Sequence, residues 1–149
     1  MKKFEFPLEA ALSLRRRRLE NEEAQLIRLF RELEDIESAR RQLNAEVKRE
    51  QERVLDMRVV DPSTDIQPLD RYRIYARETN ERLRLQIADC QKRIDLERAR
   101  VVEARQAVEV IDRLKHKRLA QWEREAGKEM EALASECFLA KWARERKDS

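Results

Sequence analysis

The sequence predicts an all-α fold: a long two-helix antiparallel coiled-coil hairpin with a C-terminal helical overhang. Three observations predict it. Apolar residues recur every seven positions in two long segments, which is typical of paired helices. Charged residues make up 44% of the 149 residues, with 5% aromatics and one glycine, which is typical of long helices. Two of the three prolines lie between the two segments.

The proline-containing stretch from Val59 to Leu69 divides the chain. Proline cannot continue a helix interior, and it drives the preceding residue toward extended backbone. Ser63, Thr64 and the neighbouring aspartates add residues that favour turns. The sequence therefore predicts one hairpin domain over residues 1–149, with helix one at about 7–58, a turn at 59–68 and helix two at about 68–146.

The first segment carries one heptad ladder. Its a positions are Leu12, Leu19, Leu26, Leu33, Arg40, Val47 and Val54, and its d positions are Leu8, Arg15, Glu22, Leu29, Ile36, Leu43, Glu50 and Met57. Most of these residues are apolar, so they predict a seam that winds around a partner helix. The polar members weaken the seam, but they can fix its register.

The second segment carries a matching ladder. Its a positions are Ile87, Ile94, Val101, Val108, Lys115 and Trp122, and its d positions are Leu83, Cys90, Glu97, Ala104, Ile111 and Arg118. In a hairpin, the numbers of facing residues add up to roughly 127, to within about one helical turn. Helix one then ends opposite Leu119. The remainder, about residues 120–146, is the predicted overhang. Its apolar residues have no predicted partner in the chain: Trp122, Met130, Leu133, Phe138, Leu139 and Trp142.

Composition excludes several classes of protein. The 34 basic and 31 acidic residues leave a net charge of +3, which does not require a nucleic-acid partner. The apolar patch near Lys2 and Lys3 is interrupted by Glu5, Pro7 and Glu9, unlike a secretory signal, and no apolar run is long enough to span a bilayer. We therefore expect a cytoplasmic protein.

The sequence contains no motif for catalysis, and we expect no enzyme activity, cofactor, metal or small-molecule substrate. A two-helix hairpin has little interior in which to shift a pKa. Cys90 and Cys137 match no metal-ligand spacing, and we interpret them as two reduced thiols. The single histidine, His116, has Lys115 and Lys117 beside it.

Two groups of residues are candidates for binding a partner. Arg15, Arg16, Arg17 and Arg18 point all around one helix. They form a solvated collar or a contact for an acidic protein surface, and contacts with nucleic acid or lipid headgroups are the remaining alternatives. Tyr72 and Tyr75 share a helical face. They either pack against Val54 and Met57 at the turn or contact a partner.

The two ends of the chain resemble the FliJ family of flagellar protein-export components. The residues that carry the resemblance are Phe4-x-Phe6-x-Leu8 with Leu12, Leu14, Arg15, Glu20 and Ala24, and Val110-x-x-x-Leu114-Lys115-x-Lys117-Arg118-x-x-x-Trp122-x-x-Glu125 with Glu129 and Leu133-Ala134. The chain length and the order helix, proline-rich turn, longer helix are similar too. The middle of the chain is generic heptad sequence.

The resemblance implies a stalk-like coiled coil that couples ATP hydrolysis and the proton motive force to export. Its implied partners are the hexameric export ATPase FliI, the export-gate protein FlhA and export chaperones, on the cytoplasmic side of the membrane. The expected ATPase contact is Arg15, Arg16, Arg17, Arg18, Lys115, Lys117, Arg118, Trp122, Met130 and Leu133. The expected gate contact is Val47, Val54, Tyr72 and Tyr75. The alternatives are the stalk protein of a virulence type III secretion system, a nucleic-acid-binding helical hairpin, and a passive coiled-coil spacer.

Overall fold

The computed structural model describes residues 2–148 and contains two long α-helices. Helix α1 spans Glu9–Val60 over 52 residues, and helix α2 spans Gln67–Lys147 over 81 residues. The helices pack against each other and the described residues include no strand, so the predicted all-α two-helix hairpin is confirmed. Each helix end lies within two residues of its predicted position, which is the usual uncertainty of a helix boundary.

Contacts between residues divide the chain into two compact units. The terminal unit contains Met1–Leu19 and Glu103–Ser149, and the turn unit contains Glu20–Val102. Each unit packs one segment of α1 antiparallel to one segment of α2, and each has its own buried cluster of side chains.

A short series of hydrogen-bonded turns connects the helices within the turn unit. Helix α1 ends where the backbone N–H of Asp61 donates to the Met57 carbonyl oxygen at 2.9 Å. The Asp61 carboxylate accepts from the N–H of Ser63 at 3.0 Å and from its hydroxyl at 2.6 Å, and these bonds lower the pKa of Asp61. Asp65 Oδ1 then accepts from the N–H of Gln67 at 3.0 Å, which caps the start of α2.

The core of the turn unit is a narrow seam of heptad residues. Leu29, Cys90 and Ile94 form its buried cluster, with Leu26, Leu33 and Ile36 packed against it. The Cys90 thiol is fully buried and donates to the Leu29 carbonyl oxygen at 3.5 Å. At the edge of the seam, Asn80 Nδ2 donates to Asn44 Oδ1 at 2.7 Å. That pairing lies about three residues from the predicted register, which is within one helical turn.

The core of the terminal unit includes residues that precede the first helix. Phe6, Leu12 and Ile111 are its buried members, and Phe4, Ala11, Val108 and Leu114 pack against them. Residues 2–6, called the N-terminal strap, have no regular secondary structure, and the Phe4 ring lies 6.0 Å from the Trp122 ring. An extended residue advances the chain by about 3.3 Å, against 1.5 Å in a helix, so the strap covers more of α2 than helical residues would.

The unpaired end of α2 therefore begins later than the sequence predicts. The predicted overhang starts at about residue 120, but Trp122 is half-buried and Ala126 is buried. Every described residue after Ala126 is exposed. Helix α2 continues through Gly127, where an added Cβ would meet nothing within 4 Å. The glycine marks the end of the packed region and does not interrupt the helix.

Two arginines that the heptads place in the seam lie outside it in the terminal unit. Arg118 is exposed, and its neighbour Leu119 is half-buried instead. Arg15 is also exposed, and its guanidinium reaches the carbonyl oxygen of Ala107. Burying a charge in an apolar seam without a partner carries a large desolvation penalty. The prediction of Arg15 and Arg118 as seam residues is therefore wrong, because both keep their charge in water.

Candidate partner-binding surfaces

All residues predicted to contact an ATPase belong to the terminal unit, and together they are called the terminal surface. They are the arginine run Arg15–Arg18, the basic residues Lys115, Lys117 and Arg118, and the apolar residues Trp122, Met130 and Leu133. The structure brings part of the arginine run against α2. Arg15 Nη1 donates to the Ala107 carbonyl oxygen at 3.3 Å, and Arg16 Nη2 pairs with Asp112 Oδ1, also at 3.3 Å.

Carboxylates neutralise part of the basic collar on the terminal surface. Lys115 Nζ lies 2.8 Å from Glu9 Oε2, and the Lys115 side chain is only 30% exposed. Arg16 shares Asp112 with His116, whose Nδ1 also lies 2.8 Å from the Asp112 carbonyl oxygen. Arg17, Arg18, Lys117 and Arg118 are exposed. This local pairing reduces the positive potential that would attract a nucleic-acid backbone.

Trp122 has partners in its own chain, so the prediction that it is unpartnered is wrong. Its indole Nε1 donates to the carbonyl oxygen of Lys2 at 3.2 Å, and its ring packs at 58° against the Phe4 ring. A shallow groove beside the indole is lined by residues 2–5 of the strap together with Arg118, Gln121 and Glu125. The heptad pattern did not predict the contact between the strap and Trp122, because the five strap residues are not helical and show no helical period.

The exposed end of α2 carries the largest apolar side chains of the terminal unit that lack cover. Met130 is 64% exposed and Leu133 is 61% exposed, as their position in the predicted overhang implies. The other apolar residues of the predicted overhang, Phe138, Leu139 and Trp142, were not among the predicted contacts and are 68%, 60% and 49% exposed. These three belong to the same exposed segment, and their size and apolar character were the signal that could have included them in the predicted contact.

The predicted gate contact lies in the turn unit, and its four residues are called the turn surface: Val47, Val54, Tyr72 and Tyr75. Val54 is buried in the seam and Val47 is half-buried, so neither presents a full side chain to a partner. Tyr72 is half-buried, whereas Tyr75 is 57% exposed. The two tyrosine rings lie 6.3 Å apart. The structure thus divides the pair, with Tyr72 packed and Tyr75 available.

Tyr72 forms one wall of an open groove of about 640 Å³ between the helices of the turn unit. Its hydroxyl donates to Glu46 Oε2 at 3.4 Å. Burial and the nearby carboxylate of Glu46 raise the pKa of Tyr72, so the phenol stays protonated and acts as a donor. Met57 and Leu69 also line the groove and were not among the predicted contacts. The groove therefore offers apolar walls with polar edges.

Among residues 2–148, no three histidine, cysteine or acidic side chains group in a way that could hold a metal ion. Both cysteines are free thiols; Cys90 is buried and Cys137 is exposed. Burial raises the pKa of Cys90, which keeps it as an unreactive thiol. Neither helix, over the described residues, has a segment long and apolar enough to cross a membrane.

The chain was compared with models of known protein families, with curated proteins and with solved structures, and none of the three comparisons finds a match.

Proposed function

We propose that this chain is a non-enzymatic component of a flagellar type III export apparatus. In this proposal its terminal surface engages the export ATPase FliI, its turn surface engages the export-gate protein FlhA, and the chain also handles export chaperones. The protein then works on the cytoplasmic side of the membrane, bound peripherally at the export apparatus. The resemblance of both chain ends to the FliJ family suggests these partners.

The observation that carries the proposal is the exposed apolar segment of α2 in the terminal unit. Large contiguous apolar surface on a protein usually marks an interaction site. Here Met130, Leu133 and Phe138 are each more than half exposed along one continuous helix. Arg17 and Arg18 in the same unit add charge that can attract an acidic surface. Exposed apolar side chains together with charged residues in the same unit are the composition expected of a protein interface.

A two-helix unit also suits the centre of a ring-shaped ATPase. Two packed helices of about 10 Å each give a width of about 20 Å. A ring whose pore has this width can accommodate the unit, and the two helices present different residues to each ring subunit. Unequal contacts around the ring can bias which subunits assemble and hydrolyse ATP. This supports an activating role rather than a passive spacer.

The ATPase contact is tested by reversing charge at Arg17 and Arg18 together, to Glu. These two arginines are preferable to Arg15 and Arg16, which already contact Ala107 and Asp112. Stimulation of purified FliI by the variant should fall several-fold, and the loss should be largest at low salt, because exposed charges act mainly on association. The matched control reverses Arg28 and Arg31, exposed arginines of the turn unit, and should keep full stimulation. Equal stimulation by both variants would remove the arginine run from the contact.

The gate contact is tested by changing Tyr72 and Tyr75 together to Ala. Exposed tyrosines are frequent interface hot spots, so binding of the FlhA cytoplasmic domain in a pull-down or calorimetric titration should weaken at least about tenfold. Tyr75→Ala alone should account for most of the loss, because Tyr75 is the exposed member. Ile74→Ala is the control: Ile74 lies between the tyrosines and is 56% exposed. Unchanged affinity with unchanged helical circular dichroism would limit the tyrosines to packing.

A further inference from the structure

The seam of the turn unit contains two glutamates in neighbouring positions on opposite helices. Glu22 lies seven residues before Leu29 on α1, and Glu97 lies seven residues after Cys90 on α2. Cys90 Sγ contacts the Leu29 carbonyl oxygen at 3.5 Å. Because the helices are antiparallel and the seam repeats every seven residues, one heptad along each helix brings Glu22 to Glu97.

Glu97 is the one charged residue that is buried in the described chain, with 3% of its surface exposed. Its Oε2 lies 3.5 Å from Arg100 Nη1, while its Oε1 is buried without a hydrogen-bond partner. The groups that act on Glu97 are Glu22 from α1, which is half-buried, and Arg100 from its own helix. An unpartnered carboxylate oxygen buried beside a second carboxylate is strongly unfavourable when both groups are ionised.

We propose that Glu22 and Glu97 form a proton-binding site in the seam, which makes the pairing of α1 and α2 in the turn unit tighten as the pH falls. One shared proton turns one carboxylate into a donor, so an O–H···O⁻ hydrogen bond replaces the repulsion between two negative charges. Glu97 Oε1 then gains the partner that it otherwise lacks. The proton comes from solvent, and no other reactant is needed.

The electrostatics give the direction of the pH dependence. The hydrogen bond that a protonated carboxyl can share with Glu22 raises the pKa of Glu97, burial raises it further, and Arg100 opposes the shift without cancelling it. A carboxyl whose pKa is higher in the folded than in the unfolded chain holds more protons when folded. Its stabilisation is present in full below the unfolded pKa and is lost as the pH rises through the folded pKa. The proton belongs to the pair rather than to either residue alone.

The test compares the pH dependence of unfolding in the native full chain and in a Glu97→Gln chain. Glutamine keeps the shape, donates a hydrogen bond to Glu22 and cannot ionise. Because the chain has 31 acidic residues, the informative quantity is the difference in melting temperature between the two chains at each pH. Relative to the variant, the native chain should lose at least about 3 °C between pH 4.5 and pH 8. The control Glu109→Gln, at an exposed position, should not reproduce this loss as the pH rises.

Two results would overturn the proposal. One is a difference in melting temperature, native chain minus Glu97→Gln chain, that stays level or rises with pH. Such a result would mean that Arg100 keeps Glu97 ionised over the whole pH range. The other is a carbon-13 NMR titration of the glutamate side chains in the native chain. The proposal is wrong if no glutamate resonance titrates at a higher pH than the exposed glutamates do. The second measurement requires no variant and therefore decides the question even if Glu97→Gln alters folding.

Discussion

In a Leu12→Ala chain, the free energy of unfolding of the terminal unit should be about 2–5 kcal/mol lower than in the native chain. Leu12 has 0% of its surface exposed and joins Phe6 and Ile111 in the buried cluster of that unit. Removing its isopropyl group leaves a cavity that two facing helices can close only in part. Both tryptophans of the chain lie in the terminal unit, so tryptophan fluorescence during urea unfolding reports on this unit.

The matched control for this experiment is Leu14→Ala. Leu14 is the same residue type, two positions along the same helix, but it is 68% exposed. Its replacement should change the unfolding free energy by less than about 0.5 kcal/mol, since surface substitutions without special contacts have small effects. If Leu12→Ala and Leu14→Ala were equally mild, the terminal unit would not have the seam described above.

Under the proposed function, a chain that ends at Lys128 should keep its fold but no longer stimulate the export ATPase. The deletion removes the exposed apolar residues from Met130 onward but keeps Trp122 and Ala126, which pack in the terminal unit. A cut after Leu119 would remove both of these and disturb the strap as well. Unfolding monitored by Trp122 fluorescence should shift by less than about 0.5 kcal/mol, because every deleted described residue is exposed. Stimulation of FliI should fall to the basal rate.

A full-length chain with Leu133→Ala and Phe138→Ala separates the apolar contact from the length of α2. Alanine keeps the helix, so this chain should lose most of the stimulation while its circular dichroism stays the same. Full stimulation by the shortened chain would show that the exposed segment of α2 is not the ATPase contact. If the shortened chain loses ATPase stimulation but the double alanine chain keeps it, the effect depends on the length of α2 and not on its apolar side chains.

The heptads predicted most of the seam because burial in a two-helix pair depends on a local repeat. The positions from Leu83 to Lys115 are buried or half-buried as the repeat requires. The heptad repeat wrongly placed Arg118 in the seam, because the repeat depends only on residue spacing and ignores the energetic penalty of burying a charge. The repeat could not predict the packing of the strap, because residues 2–6 are not helical and therefore show no helical period.

The sequence predicted where exposed residues would lie on the terminal and turn units, but not how each of these residues would pack. Exposure of Met130 and Leu133 follows from unequal helix lengths, which the sequence reveals. Neutralisation of Lys115 by Glu9 depends on which residues face each other across the terminal unit. An uncertainty of one helical turn in the register is enough to change such a pair. The different exposure of Tyr72 and Tyr75 has the same origin, because a shared face does not determine how deeply each ring sits.

The contrast between the two thiols has a practical consequence for labelling. Cys137 is exposed on the free part of α2, whereas Cys90 is fully buried and its pKa is raised. A maleimide reacts with the thiolate of an accessible cysteine. The unmodified chain therefore accepts a fluorophore or a photo-crosslinker at Cys137 while Cys90 stays protected. A label there travels with the apolar segment, so covalent capture from Cys137 would identify the molecule that covers it.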